Sequence, residues 1–420
     1  MNEAKPFNIS KRLVWEAYKR VKSNKGAAGV DDQSISEFDQ NRDKNLYRIW
    51  NRMASGVYFP PPVRAVAIPK KAGGERILGV PTVSDRIAQT VVTLMIEPRL
   101  EAVFHPDSYG YRRGKSAHDA LKVTRERCWK QDWILEYDIR GLFDNINHDL
   151  LLKALHHHCD ERWVILYAKR WLTAPLQMQD GLVRERTVGT PQGGPLSPVL
   201  ANLFLHYALD SWLATHHADI LFCRYADDGI LHCNSLEQAE QMREYLDSRL
   251  KDVGLELHPD KTRIVYCKDS NRRGRHQVIQ FDFLGFTFQP RVAWNKSGGA
   301  FTSFLPAISR VAMKGIRQRI RSWRLGLKSD RSLVYLSHWI NRIVRGWISY
   351  YGRFYKSALE ALSLRLDKAL VHWAMRKFKR LRGHKIRAIK WLRRCRRNQP
   401  NLFAHWLLVI DRDAGTMGAQ

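Results

Sequence analysis

The stretch FCRYADDGILHC (222–233) sets two adjacent carboxylates, Asp227 and Asp228, between two apolar runs. Asp-Asp-Gly is ordinary turn chemistry, because an aspartate can hydrogen-bond to its own backbone and a glycine tolerates positive φ. The apolar flanks therefore predict two short strands joined at this turn, as a β-hairpin. A turn alone is enough to explain both aspartates. A functional role for them requires evidence from elsewhere in the chain, such as another acidic residue that lies beside them.

Outward from this hairpin, the first 300 residues alternate predicted strands with predicted helices. Residues 7–55 are mainly helical, and 65–82 predict a second hairpin. Further strands are expected at 133–139, 255–267 and 281–290, and helices at 148–158, 199–213 and 235–254. This order is typical of an α+β fold in which a split βαβ antiparallel sheet carries helices on one face.

On such a sheet, Asp138 ends the strand WILEYDI (133–139) and would lie beside the tip of the 222–233 hairpin. Three converging carboxylates repel one another and lose hydration on burial, so a bound cation is expected between them. Carboxylate oxygens select hard cations such as Mg²⁺, which keeps open positions for phosphate groups. Two such ions about 4 Å apart can activate a 3′-hydroxyl and stabilise a leaving pyrophosphate. The pattern therefore predicts a two-magnesium site.

The 420 residues include 70 Lys and Arg against 41 Asp and Glu, a net charge of +29. A surplus of this size implies a polyanionic partner, either nucleic acid or an acidic membrane surface. No apolar run reaches the roughly 18 residues that span a bilayer, and the N-terminal residues lack a signal-peptide core. The six cysteines form no C-x-x-C pair, so free thiols in a reducing cytoplasm are expected rather than zinc or disulfides.

The positive charge is concentrated in residues 301–420, which contain 27 Lys and Arg against 5 Asp and Glu. This change predicts a domain boundary near 290–305, where FQPRVAWNKSGGAF supplies a proline and a Gly-Gly breaker. Apolar residues at helical spacing then predict three amphipathic helices with basic outer faces. Such a folded basic domain, with interleaved aromatic residues, is typical of nucleic-acid binding, and its broad positive faces fit a membrane-surface helix poorly.

Eight sequence blocks, in order, resemble those of the reverse transcriptase/maturase proteins encoded by bacterial group II introns. They are KSNKGAAGVD (22–31), IPKKAGGERILGVPTVSDR (68–86), YGYRRGKSAHDAL (109–121), YDIRGLFDNINH (137–148), GTPQGGPLSPVLANLFLH (189–206), YADD (225–228), GLELHPDKT (254–262) and FDFLGF (281–286). A further block, WINRIVRGWISYYGRF (339–354), resembles the thumb, or maturase domain, of that family. One YxDD is a weak signal, whereas eight ordered blocks are a specific one.

The resemblance implies a right-handed polymerase with fingers and palm, followed by an all-α thumb/maturase domain. The expected divisions are an N-terminal helical extension (1–60), fingers and palm (61–295), the thumb/maturase domain (296–398) and a C-terminal tail (399–420). Two Mg²⁺ ions are the implied cofactor. Asp138 and Asp227 would be the main metal ligands, and Asp228 would complete the cluster.

Five residues match positions that bind the incoming nucleotide in this family. Lys70 and Arg76 match finger positions that grip the triphosphate, with an ordinary exposed hairpin tip as the alternative. Phe143 matches the aromatic residue beneath the sugar, where a ring would clash with a 2′-hydroxyl; a core phenylalanine is the alternative. Gln192 and Gly193 match a loop whose backbone approaches the new base pair closely.

Lys261 matches a lysine near the triphosphate that can protonate the leaving group. Four arginines are expected to contact nucleic acid. Arg112 and Arg113 match positions at the template backbone, with plain surface arginines as an equal alternative, and Arg345 and Arg353 belong to the thumb block.

The resemblance implies an RNA-directed DNA polymerase that uses an RNA template, a DNA primer and deoxynucleotides, and that also binds its intron RNA to assist splicing and mobility. It would be cytoplasmic, and nucleoid-associated when the intron moves. The sequence has no H-N-H endonuclease cluster with cysteine pairs, so no second-strand cleavage is expected. Two alternatives stay open: a maturase with a splicing role only, and a domesticated, defence-associated reverse transcriptase. The oligomeric state is not predicted.

Overall fold

The computed structural model describes residues 5–69, 74–295 and 297–408. Lys70, one of the predicted triphosphate ligands, falls outside the described residues. The chain divides into two compact units. The first unit contains the described residues within 1–120 and 135–264. The second unit contains the described residues within 121–134 and 265–420.

The first unit consists of helices and two small sheets. Its helices are α1 (Lys11–Asn24), α2 (Ile35–Gln40), α3 (Arg42–Ala54), α4 (Val83–Val103), the start of α5 (Ala117–Cys128), α6 (Leu142–Asn145), α7 (His148–His158), α8 (Arg162–Leu172), α9 (Ser197–Leu205), α10 (Ser211–His216) and α11 (Leu236–Asp252). Its strands are β1 (Val63–Pro69), β2 (Glu75–Val80), most of β3 (Trp133–Asp138), β4 (Leu176–Gln177), β5 (Val183–Arg184), β6 (Leu221–Tyr225), β7 (Asp228–Cys233) and the first half of β8 (Arg263–Tyr266). A serine or asparagine caps α1, α2, α7 and α11 by accepting the N–H three residues later.

The central sheet has the strand order β6-β7-β3-β8. β6 and β7 pair antiparallel with Tyr225 opposite Asp228, which confirms the predicted hairpin. The helices predicted at 148–158 and 235–254 are present as α7 and α11. Apolar side chains of β3 and β7 are completely buried, and this packing holds the ends of the two strands in place.

Two segments near this sheet differ from the sequence prediction. Residues 199–213 do not form one regular helix, because a π-helical turn at His206–Asp210 joins α9 to α10. Within 255–267 only β8 is a strand. Pro259 has no N–H to give to a ladder, and Thr262 instead closes a turn by donating to the carbonyl of His258 at 3.0 Å.

β1 and β2 form the antiparallel hairpin predicted for 65–82, with Ile68 opposite Arg76. Residues 70–73, between the two strands, lie outside the described part of the chain. β1 also pairs in parallel with β4, which pairs with β5, so this second sheet has the order β2-β1-β4-β5. Arg76 therefore lies near the free end of a two-stranded finger.

The second unit combines a three-stranded sheet with a helical bundle. Its strands are β9 (Phe281–Phe283), β10 (Phe286–Trp294) and β11 (Ala300–Ile308), in the order β11-β10-β9. Its helices are α12 (Arg310–Ser322), α13 (Leu333–Tyr351), α14 (Glu360–Lys377) and α15 (Lys385–Asn398). α12, α13 and α14 are the three predicted amphipathic helices. They bury a common apolar core that includes Ile316, Ile320, Leu336, Ile340, Val344, Leu362, Leu366, Leu370 and Trp373.

The stretch interpreted as a breaker near 290–305 is a β-hairpin formed by β10 and β11, with Trp294 opposite Ala300. Aromatic residues and valine favour the strands, and Gly298, at φ +80°, serves the turn between them. The proline at 290 is accommodated within β10. The rise in basic residues after 300 therefore begins inside the second unit.

Two further predictions concern the cysteine side chains and membrane-spanning helices. The six cysteines are free thiols, five of them buried, as the sequence predicts. No helix among residues 5–69, 74–295 and 297–408 is long and apolar enough to cross a bilayer.

Candidate active site

The three predicted metal-binding aspartates lie at the same end of the central sheet. Asp138 is the last residue of β3, Asp228 is the first residue of β7, and Asp227 precedes it in the hairpin turn. The N–H of Ile139 donates to the carbonyl of Asp227 at 3.0 Å. The two strand ends are therefore direct neighbours, and carboxylates that are far apart in the sequence are brought together.

A strained backbone presents Asp227. The preceding residue, Ala226, has φ +58°, in the left-handed region that favours glycine. A loop packs against this turn: the N–H of Tyr109 donates to the carbonyl of Arg224 at 2.8 Å, and a Cβ on Gly110 would lie 2.4 Å from the nitrogen of Ala226. Only glycine fits at position 110, and the loop holds the turn from one side.

A buried ion pair that the sequence analysis missed lies behind the turn. Arg224 and Asp210 are completely buried and share two hydrogen bonds, of 2.7 and 2.6 Å. The same guanidinium donates to the carbonyl of Ala226 at 3.1 Å and to the amide oxygen of Asn202 at 3.2 Å. This network ties the catalytic turn to α9 and the π-helical turn. Its sequence signal is a pair of charged residues inside otherwise apolar stretches, LFCRYA and LHYALD.

Burial and mutual repulsion control protonation at the site. Burial raises the pKa of Asp228 to about 8, and the nearby charges of Asp138, Asp227 and Glu136 add to this effect. Burial and the charge of Asp138 also raise the pKa of Asp227, while Lys261 opposes the rise. Neighbouring carboxylates that disfavour each other's charge are stabilised by a divalent cation.

Lys261 provides a positive charge beside these carboxylates. Its Nζ donates to Oδ2 of Asp138 at 2.8 Å, and about half of its side chain is exposed. Partial burial lowers the pKa of Lys261, but the bond to Asp138 and the charges of Asp228 and Asp227 outweigh it, so the pKa is raised overall. The ammonium therefore keeps its proton while remaining accessible to a phosphate group.

The donor chemistry of this set fits Mg²⁺. The donors are carboxylate oxygens, and the raised pKa values of Asp227 and Asp228 mark a place where negative charge needs a positive partner. Across the described residues, no group of three or more His, Cys, Asp or Glu side chains is arranged as a complete cation site. Oδ2 of Asp138 accepts a hydrogen bond from Lys261, and the carboxylate has further lone pairs that could bind a cation.

Predicted nucleotide-binding residues of the β1–β2 finger hairpin and of the loop 189–193 are also in contact. Nε of Arg76 donates to Oε1 of Gln192, and the N–H of Gly79 donates to the carbonyl of Gln192 at 2.8 Å. Gly193 has φ +133°, and a Cβ there would lie 2.4 Å from the carbonyl oxygen of Gly79. The contact with β2 therefore requires a glycine at position 193, and the close approach of this loop to a base pair stays a prediction.

Phe143 lies in α6 and is connected to the same loop. Its carbonyl accepts the N–H of Thr190 at 2.6 Å, and a Cβ on Gly189 would lie 2.7 Å from that carbonyl oxygen. Phe143 is 7% exposed. This small exposed fraction is compatible with both predicted roles, a core ring and a surface beneath a nucleotide sugar.

The predicted nucleic-acid-binding arginines have different surroundings. The side chain of Arg112 is 5% exposed, forms a bidentate pair with Glu101 and donates to three backbone carbonyls. It is therefore neither a plain surface arginine nor free to reach a template in this structure. Arg113 is about half exposed and pairs with Glu97 at 2.9 Å. In the second unit, Arg345 and Arg353 are exposed.

Comparison with known families gives two matches. Residues 68–288 match the family described as "Reverse transcriptase (RNA-dependent DNA polymerase)". Residues 313–400 match "Group II intron, maturase-specific domain". The first match includes all three aspartates, and the second covers most of the helical bundle.

Individual proteins and one solved structure are similar to this chain. Protein YkfC of Escherichia coli (strain K12) is 30% identical over 306 residues, which cover 63% of this chain and 80% of that protein. The group II intron-encoded protein LtrA of Lactococcus lactis subsp. cremoris is 34% identical over 197 residues, 46% of this chain and 32% of LtrA. The alignment thus spans about a third of LtrA. The solved structure of telomerase from Candida albicans aligns with a TM-score of 0.46 at 12% identity, covering 86% of this chain and 66% of that one.

Proposed function

This chain belongs to the reverse transcriptase family and carries a group II intron maturase domain, and from that premise we propose that it copies RNA into DNA for a group II intron. The observation that carries the proposal is the adjacency of Asp138 with Asp227 and Asp228 at two hydrogen-bonded strand ends. The proposed substrates are deoxynucleoside triphosphates, an RNA template and a DNA primer. Intron RNA is the proposed further partner, in the cytoplasm or at the nucleoid.

In this mechanism Asp138, Asp227 and Asp228 would hold two Mg²⁺, and the ions would supply activation of the primer 3′-hydroxyl and neutralisation of the leaving pyrophosphate. Lys261 carries a proton at Nζ close to the carboxylates, where it can give that proton to the pyrophosphate oxygen as the bond to the α-phosphate breaks. The Arg224 network keeps the turn at 226–228 in position throughout.

The incoming nucleotide would bind between the finger hairpin and the loop 189–193. Arg76 offers a fork of donors to the triphosphate, and its bond to Gln192 orients it before the substrate arrives. Phe143 would lie beneath the sugar and exclude a 2′-hydroxyl by contact. Lys70 is proposed as the second triphosphate ligand on the strength of the family pattern.

The test is primer extension on an RNA template with Asp227→Ala alongside the unchanged protein. We expect extension to fall by about 10²–10³-fold or more, because the variant loses a group that stabilises charge in the transition state. Asp247→Ala is the matched control, since Asp247 is a surface carboxylate paired with Lys251 on α11. Equal extension by Asp227→Ala and the unchanged protein would remove the proposed chemistry.

A second role, assistance to splicing, rests on the maturase domain and its exposed basic residues, including Arg345 and Arg353. Stabilising a folded RNA requires no carboxylate in the polymerase site. We therefore expect Asp227→Ala to retain any splicing activity and Arg345→Ser with Arg353→Ser to reduce it. An unchanged splicing rate in the double variant would count against RNA contacts at these two positions.

A further inference from the structure

The tip of the β10–β11 hairpin exposes three large apolar side chains. Trp294 is 71% exposed, Val292 is 53% exposed and Phe301 is 42% exposed. Trp294 and Val292 lie two residues apart on β10 and share one face of the hairpin, while Phe301 pairs with Ala293 and lies on the other face. Exposed apolar residues that are grouped on one face, unlike single ones, are typical of interaction sites.

Strand pairing in this hairpin continues as far as Trp294 and Ala300. β10 and β11 pair over nine positions, from Phe286 opposite Ile308 to Trp294 opposite Ala300. Beyond Trp294, the N–H of Asn295 donates to the carbonyl of Gly299 at 2.9 Å. The backbone of Trp294 thus belongs to a paired strand, which lowers the entropy lost when a partner stacks on its ring.

A basic segment lies along the edge of the same hairpin. The N–H of Ser270 donates to the carbonyl of Thr302 at 3.0 Å, and the N–H of Thr302 donates to the hydroxyl of Ser270 at 2.8 Å. Arg273, whose Nε donates to the carbonyl of Ser270 at 2.9 Å, is exposed, as is Arg275. Two exposed positive side chains therefore belong to a segment that is hydrogen-bonded to β11, beside the apolar tip. We call Val292, Trp294, Arg273 and Arg275 the hairpin patch.

We propose that the hairpin patch is a separate binding surface for single-stranded nucleic acid, on which Trp294 stacks with an unpaired base while Arg273 and Arg275 contact the adjoining phosphates. Aromatic faces combined with guanidinium groups are the chemistry that binds single strands without regard to sequence. Charge complementarity favours this occupant, because the patch is basic and belongs to the unit that contains most of the chain's surplus charge. The inference rests on the proposed nucleic-acid function and adds a contact outside the polymerase site.

The test measures the affinity for a short labelled oligonucleotide without secondary structure, in RNA and DNA forms, with neither Mg²⁺ nor nucleotides present. Trp294→Ala should weaken the binding of the RNA form, the DNA form or both about tenfold. Trp294→Tyr should restore most of the lost affinity. An abasic strand of the same length should bind the unchanged protein and Trp294→Ala equally. The RNA and DNA arms identify which strand the patch prefers.

Two controls separate stacking from charge. Tyr335→Ala removes another half-exposed ring, stacked with Arg331 on α13 in the same unit, and should leave the affinity unchanged. Trp294→Ala should keep the salt dependence of binding, whereas Arg273→Ser with Arg275→Ser should flatten its slope by about 0.7 for each lost phosphate contact.

Three results would overturn the proposal: equal affinity of Trp294→Ala and the unchanged protein, equal weakening on the abasic strand, or a change confined to the oligomeric state of the free protein. The last result would make the patch a contact between copies. Asp227→Ala separates this proposal from the polymerase proposal, because it should bind the oligonucleotide normally. If Trp294→Ala binds as tightly as the unchanged protein and primer extension is normal, only the hairpin patch is rejected. If Trp294→Ala binds more weakly but the unchanged protein extends no primer, only the polymerase proposal is rejected.

Discussion

At position 193 the absence of a side chain allows the loop 189–193 to touch the finger strand β2. Gly193→Ala would place a methyl group 2.4 Å from the carbonyl oxygen of Gly79 and would also force alanine into φ +133°. We expect a loss of roughly 2 kcal/mol in the free energy of unfolding and a raised KM for deoxynucleotides, since Gln192 and Arg76 move with the loop. Urea unfolding and steady-state primer extension measure the two effects.

Gly181→Ala is the matched control for that experiment. Gly181 also has a positive φ, +86°, but a Cβ there has open space around it. It should cost only about 1 kcal/mol and leave KM unchanged. An equal rise in KM for both variants would contradict the role assigned to the contact with β2.

Single residues show what the sequence could and could not predict. The sequence predicts that Asp138, Asp227 and Asp228 lie together, because each is an acidic residue at the end of an apolar strand, and the structure brings these strand ends together. The sequence does not reveal that Asp138 pairs with Lys261, or that Arg112 is buried against Glu101. Those facts depend on which side chains meet across the fold, and an arginine in a surface-like stretch gives no local sign of its partner.

At the scale of elements, the Arg224–Asp210 pair couples the hairpin of β6 and β7 to the π-helical turn. Arg224→Met leaves a buried, uncompensated carboxylate and should reduce the free energy of unfolding by about 3–5 kcal/mol. Asp210→Leu should cost a similar amount, because it leaves the guanidinium unpaired. The double variant should cost clearly less than the sum of the two, as measured in a double-mutant cycle by urea unfolding. Additive losses would show that the two charges do not interact.

Helix α4 contains a buried carboxylate that makes stability depend on pH. Asp85 accepts hydrogen bonds from Tyr58, Trp171 and Gln89, at 3.0, 2.7 and 2.9 Å. Burial raises the pKa of Asp85 to about 6, although these three donors lower it. The unfolded value is about 3.9, so the folded state binds the extra proton, and this contribution to stability is present below about pH 4 and lost as pH rises through 6.

Asp85→Asn tests that pH dependence. Two pKa units correspond to about 3 kcal/mol, so the difference in unfolding free energy between the unchanged protein and the variant should shift by about that amount from pH 4 to 7. The shift should disfavour the unchanged protein at the higher pH. A difference that stays constant over this range would show that Asp85 does not titrate with a raised pKa.

Regular elements were predictable where the periodicity is long and the caps are present, as in α7 and α11. The π-helical turn at 206–210 was not, because its i to i+5 hydrogen bonds leave the apolar pattern of a helix almost unchanged. The stretch near 290–305 suggested a break because it contains proline and Gly-Gly. Its alternating aromatic and β-branched residues form a hairpin instead, and those glycines lie between its strands.

For the whole molecule, the uneven charge predicts strongly salt-dependent RNA binding. If the basic unit contacts 6–10 phosphates, affinity should fall by about 10³–10⁵ between 50 and 200 mM salt. Arg393, Arg394 and Arg397 on α15 are exposed, and replacing all three with serine should flatten the salt slope without changing stability by more than about 0.5 kcal/mol. Filter binding over a salt series provides the measurement. A slope unaffected by the triple substitution would place the phosphate contacts elsewhere.

Charge counts from the sequence predict this asymmetry but not the division into compact units. The second unit includes residues 121–134, which precede most of the palm in the chain. Contacts of that kind join segments that are far apart in sequence, and periodicity carries no information about them. Ordered family blocks could predict the polymerase architecture as a whole, whereas the residues that support the catalytic turn required coordinates.

The segment 402–406 has a consequence for how this protein is made. Leu402 and Ala404 bond to Asn341 on α13, and His405 and Trp406 bond to Asp367 on α14, at about 2.9 Å in each case. During synthesis, Asn341 is added to the chain 61 residues before Leu402. At usual elongation rates this separation corresponds to roughly 3–12 s. During translation the groove between these helices stays uncovered for that interval. Nascent chains stalled in this window should therefore recruit chaperones that completed chains do not.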